Sequence, residues 1–459
     1  MSDRFSLKKN LGQSVSADDP VSKSCLYYRL PVQDKNRVTA FYFADLAPGN
    51  TLGSEQCSRI QVRSIIQDWL LPDKIHLISA NFPRVMVVAP PTLPWLRMAR
   101  KYDPARIILC MPEMYLLNED EEKNLQELHD MGMQVATSIY NLRNYPDSNK
   151  VVACLDYALI DDSRKEELMP VYLKLKQVRP NIKSIGISNY GETVPQSMAA
   201  NYDLVRGRVG SDLLPFTYQN RPEWQHNQLR AFAELFSGIY DIKDIGGYSV
   251  LYPVIGHCMK GLLSSKELRV IQQQFWGGEQ SGSERLAKNY MREYMSIAIG
   301  FSLYYMGEKL LLEKKTGKKQ PDFTPSRMDL EPMVISLCLG KMVEALSKKP
   351  CDDYSIRQAF MTGFLSKSYL FLHCRSEDLA DEFPLNAASS YFSSEITSLG
   401  KVISLCKAFS TKNFEAFNFI NSGSDFSYTK EQIYEVYLQS LMWAEAVLRA
   451  IGVRSVLAA

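Results

Sequence analysis

The residues that could do chemistry in this sequence fall into a few short words. His129-Asp130 is the dipeptide that helps ligate metals in helical hydrolases. It closes a helical pattern just before Gly132, where the macrodipole favours a histidine, so a helix end accounts for it. His226, His257 and His373 are isolated, without the further His and Asp residues that such a hydrolase needs. The glycine-rich words at Asp244–Tyr248 (DIGGY) and Trp276–Glu284 (WGGEQSGSE) suggest phosphate loops. Neither follows a strand or supplies the lysine of a Walker loop, so they read as turns between helices. The basic run Lys314, Lys315, Lys318 and Lys319 could meet an anionic partner, but it follows a long helical pattern and precedes Pro321. A helix end and an exposed loop explain it. Nine scattered cysteines (Cys25, Cys57, Cys110, Cys154, Cys258, Cys338, Cys351, Cys374 and Cys406) form no C-x-x-C pair and read as reduced core thiols. Tyr290, Tyr294, Tyr304 and Tyr305, interleaved with Met291, Met295 and Met306, read as core packing with a partner surface wherever part of the stripe is exposed.

Composition narrows the classes of function. The 459 residues are 46% apolar, enough for two cores, so two domains are expected. With 53 Lys and Arg against 51 Asp and Glu, the net charge of +2 provides no stripe for a phosphate polymer or an anionic membrane, and no nucleic-acid partner is expected. Residues 1–22 are polar, without the apolar core of a signal peptide, and read as a flexible tail. The longest greasy stretch, Met295 to Met306, is too short to span a bilayer, so a cytoplasmic protein without membrane insertion is expected.

Two textures divide the chain. From Cys25 to about Gly207, strand-like runs alternate with amphipathic helices, which argues for an α/β layer. A hairpin opens it, Leu26–Leu30 and Val38–Phe43 flanking the turn residues Gln33 to Asn36. Strands are expected at Val85–Ala89, Arg106–Met111, Met133–Ser138, Tyr157–Ile160, Ser184–Ser188 and Tyr202–Arg206, with helices at Glu119–Met131 and Lys165–Val178. The turn-rich stretch Arg208 to His226 holds the linker, placed at 211–226. Helical patterns follow at Asn227–Phe236, Ser283–Lys314, Glu331–Lys348, Ser355–Leu372 and Thr397–Phe409. A last helix starts at the capping box of Thr429 and Gln432, and its apolar stripe is Ile433, Val436, Tyr437, Leu441 and Ala444. The expected architecture is α/β for 23–210 and an all-α bundle for 227–459.

The hairpin "YYRLPVQDKNRVTAFYFADL" and the carboxyl-terminal words "AFMTGFLS", "DEFPL" and "YEVYLQSLMWAEAVLRAI" resemble, in this order, the two ends of bacterial signalling proteins that join an EAL domain to an HDOD domain. The resemblance covers nearly the whole chain after residue 22. It implies a shortened, degenerate EAL-type (β/α) barrel followed by an all-helical HDOD bundle. In active EAL phosphodiesterases the strand ends carry carboxylates that hold Mg²⁺ or Mn²⁺ against the phosphodiester of cyclic di-GMP.

What the resemblance implies for the site is loss. The signature glutamate falls at Tyr42, the asparagine ligand at Val88 and the next glutamate at Cys110. The paired aspartates fall on Ser138-Ile139-Tyr140, the catalytic lysine on Leu159, and a later glutamate on Asn189. Asp161 and Glu192 survive, and as lone acids they read as solvated-loop or helix-start residues. Glu113 lies near but follows Pro112, past the end of its strand. No catalytic, cofactor-binding or metal-binding residue is assigned, and no cofactor. The expected function is non-catalytic signalling through a protein partner in cyclic di-GMP, motility or biofilm control. The alternatives are a phosphodiesterase with residual activity and a non-hydrolysing cyclic di-GMP receptor, in which Arg206 and Arg208 would meet phosphate.

Overall fold

A computed structural model describes residues 26–46, 84–210 apart from 102, 114, 143–148 and 189–192, much of 297–319, 328–348, 351–382 apart from 352 and 375, 397–423 and 427–450. It also describes single positions at 63, 65, 223, 226, 229, 230 and 233. Cys25, Cys57, Cys258, His257, both glycine-rich words, Tyr290, Met291, Tyr294, Met295, Met306, Asn189 and Glu192 lie outside the described residues.

The chain opens with the antiparallel pair β1 (Tyr27–Gln33) and β2 (Thr39–Leu46). Its turn is set by Asp34, whose carboxylate accepts from the amides of Asn36 and Val38, while Arg37 takes a left-handed φ of 67°. Parallel strands follow: β3 (Val85–Val88), β4 (Ile107–Cys110), β5 (Gln134–Ser138), β6 (Tyr157–Asp161) and β7 (Lys183–Ile187). Next come the short β8 (Thr193–Val194), then β9 (Leu204–Arg206) and β10 (Arg208–Val209). β9 pairs with β7 and with β1, closing an eight-stranded barrel in the order β1-β2-β3-β4-β5-β6-β7-β9. Helices α1 (Leu93–Ala99), α2 (Glu119–Asp130) and α3 (Lys165–Val178) carry the chain between strands. Period-2 alternation sorts the side chains. Phe41, Phe43, Met86, Ile108, Cys110, Ala136, Leu159, Ile185 and Leu204 fill the interior. Their neighbours Val85, Val87, Ile107, Leu109, Val135, Ala158 and Ile160 belong to the other core cluster, to which Leu125, Leu128 and Leu168 of the helices also belong.

The expected parallel strands and the two helices appear within about two residues of their expected ends, while both hairpin strands run three residues further than expected and take in Gln33 from the expected turn. A second difference falls at the start of the turn-rich stretch, where Arg208 and Val209 form β10 beside β8. Gly207 permits this with a φ of 119°, its amide bonded to the Pro31 carbonyl, and the buried Gln33 side chain accepts from the Val209 amide. Turn composition gave no sign of a strand because a side chain of β1 supplies this hydrogen bond.

The helical part comprises α4 (Glu331–Ser347), α5 (Asp353–Leu372), α6 (Ser376–Glu382), α7 (Ser398–Ser410), α8 (Phe414–Ser422) and α9 (Lys430–Ala450). α9 begins at the expected capping box, with reciprocal bonds between Thr429 and Gln432. α8 went unrecognised in the sequence because only Phe417 among its residues is fully buried and Phe419 stands 80% exposed, which blurs the apolar period. α4 and α5 cross at a glycine contact. A Cβ at Gly363 would lie 2.8 Å from Gly340 Cα and 3.0 Å from the Leu339 carbonyl oxygen, so nothing larger than glycine fits without parting the helices.

The two parts share one core, and the β1–β2 hairpin is their seam. Tyr28 packs on Phe409, Phe414 and Tyr437, with ring centroids 5.5 to 6.3 Å apart. Lys412 pairs with Asp45, and the Tyr27 amide donates to the Tyr434 hydroxyl.

Gly363→Ala is expected to lower the urea midpoint of the chain by the equivalent of about 1–3 kcal/mol, because backbone and not a movable side chain receives the methyl. An unchanged midpoint would show that α4 and α5 can separate freely.

Candidate functional site

The parallel strands all end at one mouth of the barrel, where residues from several strands can converge. Strand alternation decides which ones do. Val88, Cys110 and Leu159 belong to the interior cluster or pack on it, as the resemblance requires of site positions. Tyr42 does not. Its ring lies outside the barrel, 3.8 Å below the Arg29 guanidinium, and its hydroxyl donates to Glu331 at 2.6 Å. Phe43, the next residue, faces the interior instead, so Tyr42, where the resemblance puts the signature glutamate, is not on the interior face.

The remaining mouth residues are occupied locally. Ser138 donates to Glu113 at 3.4 Å and accepts from the Tyr140 amide. Ile139 is buried, and Arg164 stacks on the Tyr140 ring at 3.8 Å. Asp161 caps a short turn, accepting from the Ser163 amide at 3.0 Å and its hydroxyl at 2.7 Å, a helix-start role of the kind expected. Arg206 lies 5.0 Å from the Phe43 ring, whereas Arg208 lines a cavity at the seam, so the structure does not pair these guanidiniums.

The described residues of this mouth do not fit the hard cations implied by the resemblance. Mg²⁺ or Mn²⁺ needs several oxygen ligands converging from different strands. Phe43, Val88 and Leu159 offer none, and burial pushes the Cys110 thiol up to about 12, even with Arg206 nearby, so it stays neutral. Among the described residues no three His, Cys, Asp or Glu side chains are grouped to hold a metal ion.

The convergent polar groups lie at the seam instead. Arg29 is buried and bridges two carboxylates, Glu331 at 2.9 Å and Glu445 at 2.5 Å. Arg37 binds Glu308 at 2.6 Å, and His373 reaches the same carboxylate at 2.6 Å, so this histidine, isolated in sequence, has an acidic partner in space. Burial alone would raise Glu308, but His373 and Arg37 hold its carboxyl down at about 2. Gln33 donates to Asp329 at 3.0 Å and to Thr39 at 3.2 Å. Burial pushes the Asp329 carboxyl up to about 6, offset only in part by Arg208 and Arg37. Composition could not reveal this network, because its members are some 300 residues apart and each is an ordinary charged residue in its own segment.

The other sequence words fall where local structure explains them. His129 lies in the last turn of α2, 3.9 Å from Asp156, and His226 lies 3.4 Å from Glu382. Cys110, Cys154, Cys338, Cys374 and Cys406 are buried free thiols, and Cys351 is half-buried. Tyr304 is buried and donates to the Asp329 carbonyl. Lys318 and Lys319 are exposed beyond Gly317, whose φ is 64°. Among the described residues no helix is long and apolar enough to cross a membrane.

Asp329 gives a pH-dependent prediction. Its folded value lies above its ordinary value of 3.8, so the stability it contributes is present below about pH 4 and lost as pH rises through about 6. Asp329→Asn keeps an oxygen for Gln33 and for the Glu331 amide. We expect it to be more stable than the parent at pH 7.5 by roughly 1–3 kcal/mol, at about 1.4 kcal/mol per pH unit, and equal to it near pH 4. Urea titrations across that range check this, and a parent that is the more stable at pH 7.5 refutes it.

No family model matches the sequence, and no curated protein matches it. Solved structures do. The calcium/cy-diGMP complex of BlrP1 from Klebsiella pneumoniae, at pH 8.0, matches with a TM-score of 0.31 and 12% identity over 42% of this chain and 56% of that chain. This chain thus spans little more than half of BlrP1. A standalone EAL protein from Vibrio cholerae O395 in its c-di-GMP bound form matches with a TM-score of 0.25 and 15% identity, over 40% of this chain and 90% of that one. An EAL domain protein from Listeria monocytogenes EGD-e gives 0.26 and 11%, over 42% and 92%. The barrel described above rests on its own strand pairing.

Proposed function

We propose that this chain is a regulatory protein of the EAL-plus-HDOD kind that works by binding and not by hydrolysis. The proposed division is a barrel domain over 23–210, a linker at 211–226 and an HDOD domain over 227–459, with residues 1–22 as a tail. The observation that carries the reading is the set of side chains at the barrel mouth. Val88, Cys110 and Leu159 stand where the sequence resemblance calls for metal ligands and a catalytic lysine, and Phe43 is the interior residue beside Tyr42. A phosphodiester is attacked at useful rates only when a metal or base activates water and cations stabilise the developing charge. Apolar side chains and a neutral thiol supply neither.

Output in this reading is a protein interface on the helical half, placed in cyclic di-GMP, motility or biofilm control by the sequence resemblance. The barrel supplies the hairpin whose Arg29 and Arg37 pair with three buried carboxylates of that half. It therefore holds the helical surface in shape, and a barrel retained for this purpose can lose its ligands without losing its use.

Purified chain is expected to leave cyclic di-GMP and its linear product intact in the presence of Mg²⁺ or Mn²⁺, as followed by chromatography. Turnover that rises with added metal and disappears in Asp161→Ala would overturn the reading. Metal-free binding of cyclic di-GMP that Arg206→Ala abolishes would favour the receptor alternative.

Arg29→Met separates the seam from the mouth. It leaves Glu331 and Glu445 buried without their cation, and should cost on the order of 3–5 kcal/mol in urea unfolding. A variant as stable as the parent would show that the seam is dispensable.

A further inference from the structure

A cavity of about 250 Å³ lies at the seam between β1, β10 and helices α4, α5, α7 and α9. Its walls are mostly apolar, with Ile335, Leu339, Met342, Leu370 and Leu441 among them. Arg29 is held in the wall by Glu331 and by Glu445 beside it, while Arg208 of β10 and Lys367 of α5 also line the space; among the described residues neither makes a salt bridge, although Arg208 feels the Asp329 carboxylate. Lys367 has only a distant aromatic neighbour, Tyr369, with its ammonium 6.0 Å from the ring centroid. Tyr28 is in the wall as well, and its buried hydroxyl has no hydrogen-bond partner among the described residues. An apolar space bordered by two half-buried cations without a salt bridge favours a ligand that has one anionic end and one greasy end, whose head makes charge-assisted hydrogen bonds while its hydrocarbon covers the walls.

Size sharpens the class. The cavity holds about eight times the ~30 Å³ that a water molecule occupies in the liquid, and it falls short of the ~300 Å³ at which sites for drug-sized ligands begin. A cyclic dinucleotide does not fit in it. We infer that the cavity binds a small amphipathic monocarboxylate, its head between Arg208 and Lys367 and its hydrocarbon along Ile335, Leu339 and Leu370. An occupant touches β1 of the barrel and α4 of the helical part together, so binding stabilises their junction and gives the protein a chemical input. This site is separate from the barrel mouth and stands whether or not the mouth hydrolyses a phosphodiester.

The test uses full-length protein, with sodium octanoate as the probe and 1-octanol as its uncharged counterpart, followed by calorimetry and thermal unfolding. Octanoate is expected to bind saturably at one site and to raise Tm, roughly tenfold or more tighter than octanol, as one charge-assisted contact implies. Lys367→Gln combined with Arg208→Gln should bring octanoate down to the octanol level, and Ile335→Trp should weaken both ligands by filling the space. If octanoate fails to bind saturably to the parent, or binds no better than octanol, the inference is wrong, whatever the variants do. Octanoate binding that survives both the paired substitution and Ile335→Trp would equally overturn it.

Discussion

Arg29 leaves water almost completely and meets two carboxylates from helices more than a hundred residues apart in sequence, Glu331 at the start of α4 and Glu445 in α9. Removing three charges from water costs several kcal/mol each, and only close pairing with further hydrogen bonds offsets it. The Tyr42 hydroxyl supplies one such bond to Glu331, and its ring faces the guanidinium. The consequence is geometric. β1, β2, α4 and α9 can approach only in the arrangement that satisfies this cluster, so the hairpin belongs to the barrel by strand pairing and to the helices by charge. The second cluster, Arg37 with Glu308 and His373, fixes the far end of the same hairpin.

With the hairpin held this way, the rest of the barrel follows. Gln33 at the end of β1 bonds to Asp329 on the helical side and to the amide of Val209 on the barrel side, and its backbone pairs with β9 to close the ring. Tyr42 is drawn outward to Glu331, and strand alternation then turns Phe43 inward. Among the described residues the barrel interior is largely hydrocarbon, with Ser138, Glu113 and Asp161 bonded locally at the mouth. Buried ion pairs and hydrogen bonds gather at the seam, where they hold the barrel and the helices together.

Much of this was legible in the sequence. Short apolar runs separated by amphipathic segments located the barrel strands, because period-2 and period-3.6 burial are local properties of the chain. The capping box at Thr429 and the full length of α3 were legible for the same reason, since caps and amphipathic faces involve neighbours within four residues. That the strands around Val88 and Cys110 hold no carboxylate of their own, with Glu113 just beyond one of them, was also a local reading.

The sequence by itself determined element type and the succession of an α/β part and a helical part, because each depends on residue identity over short spans. Tertiary structure alone decided that Tyr42 faces out while Phe43 faces in, that Arg206 and Arg208 part company, and that His373 meets Glu308. It also decided that a turn-rich stretch begins as strand β10 and that Arg208 and Lys367 border a greasy cavity. The physical reason is range. Register, burial of charge and cavity shape are set by groups brought together from about 300 residues apart, and no local pattern records which distant charge a buried arginine will meet.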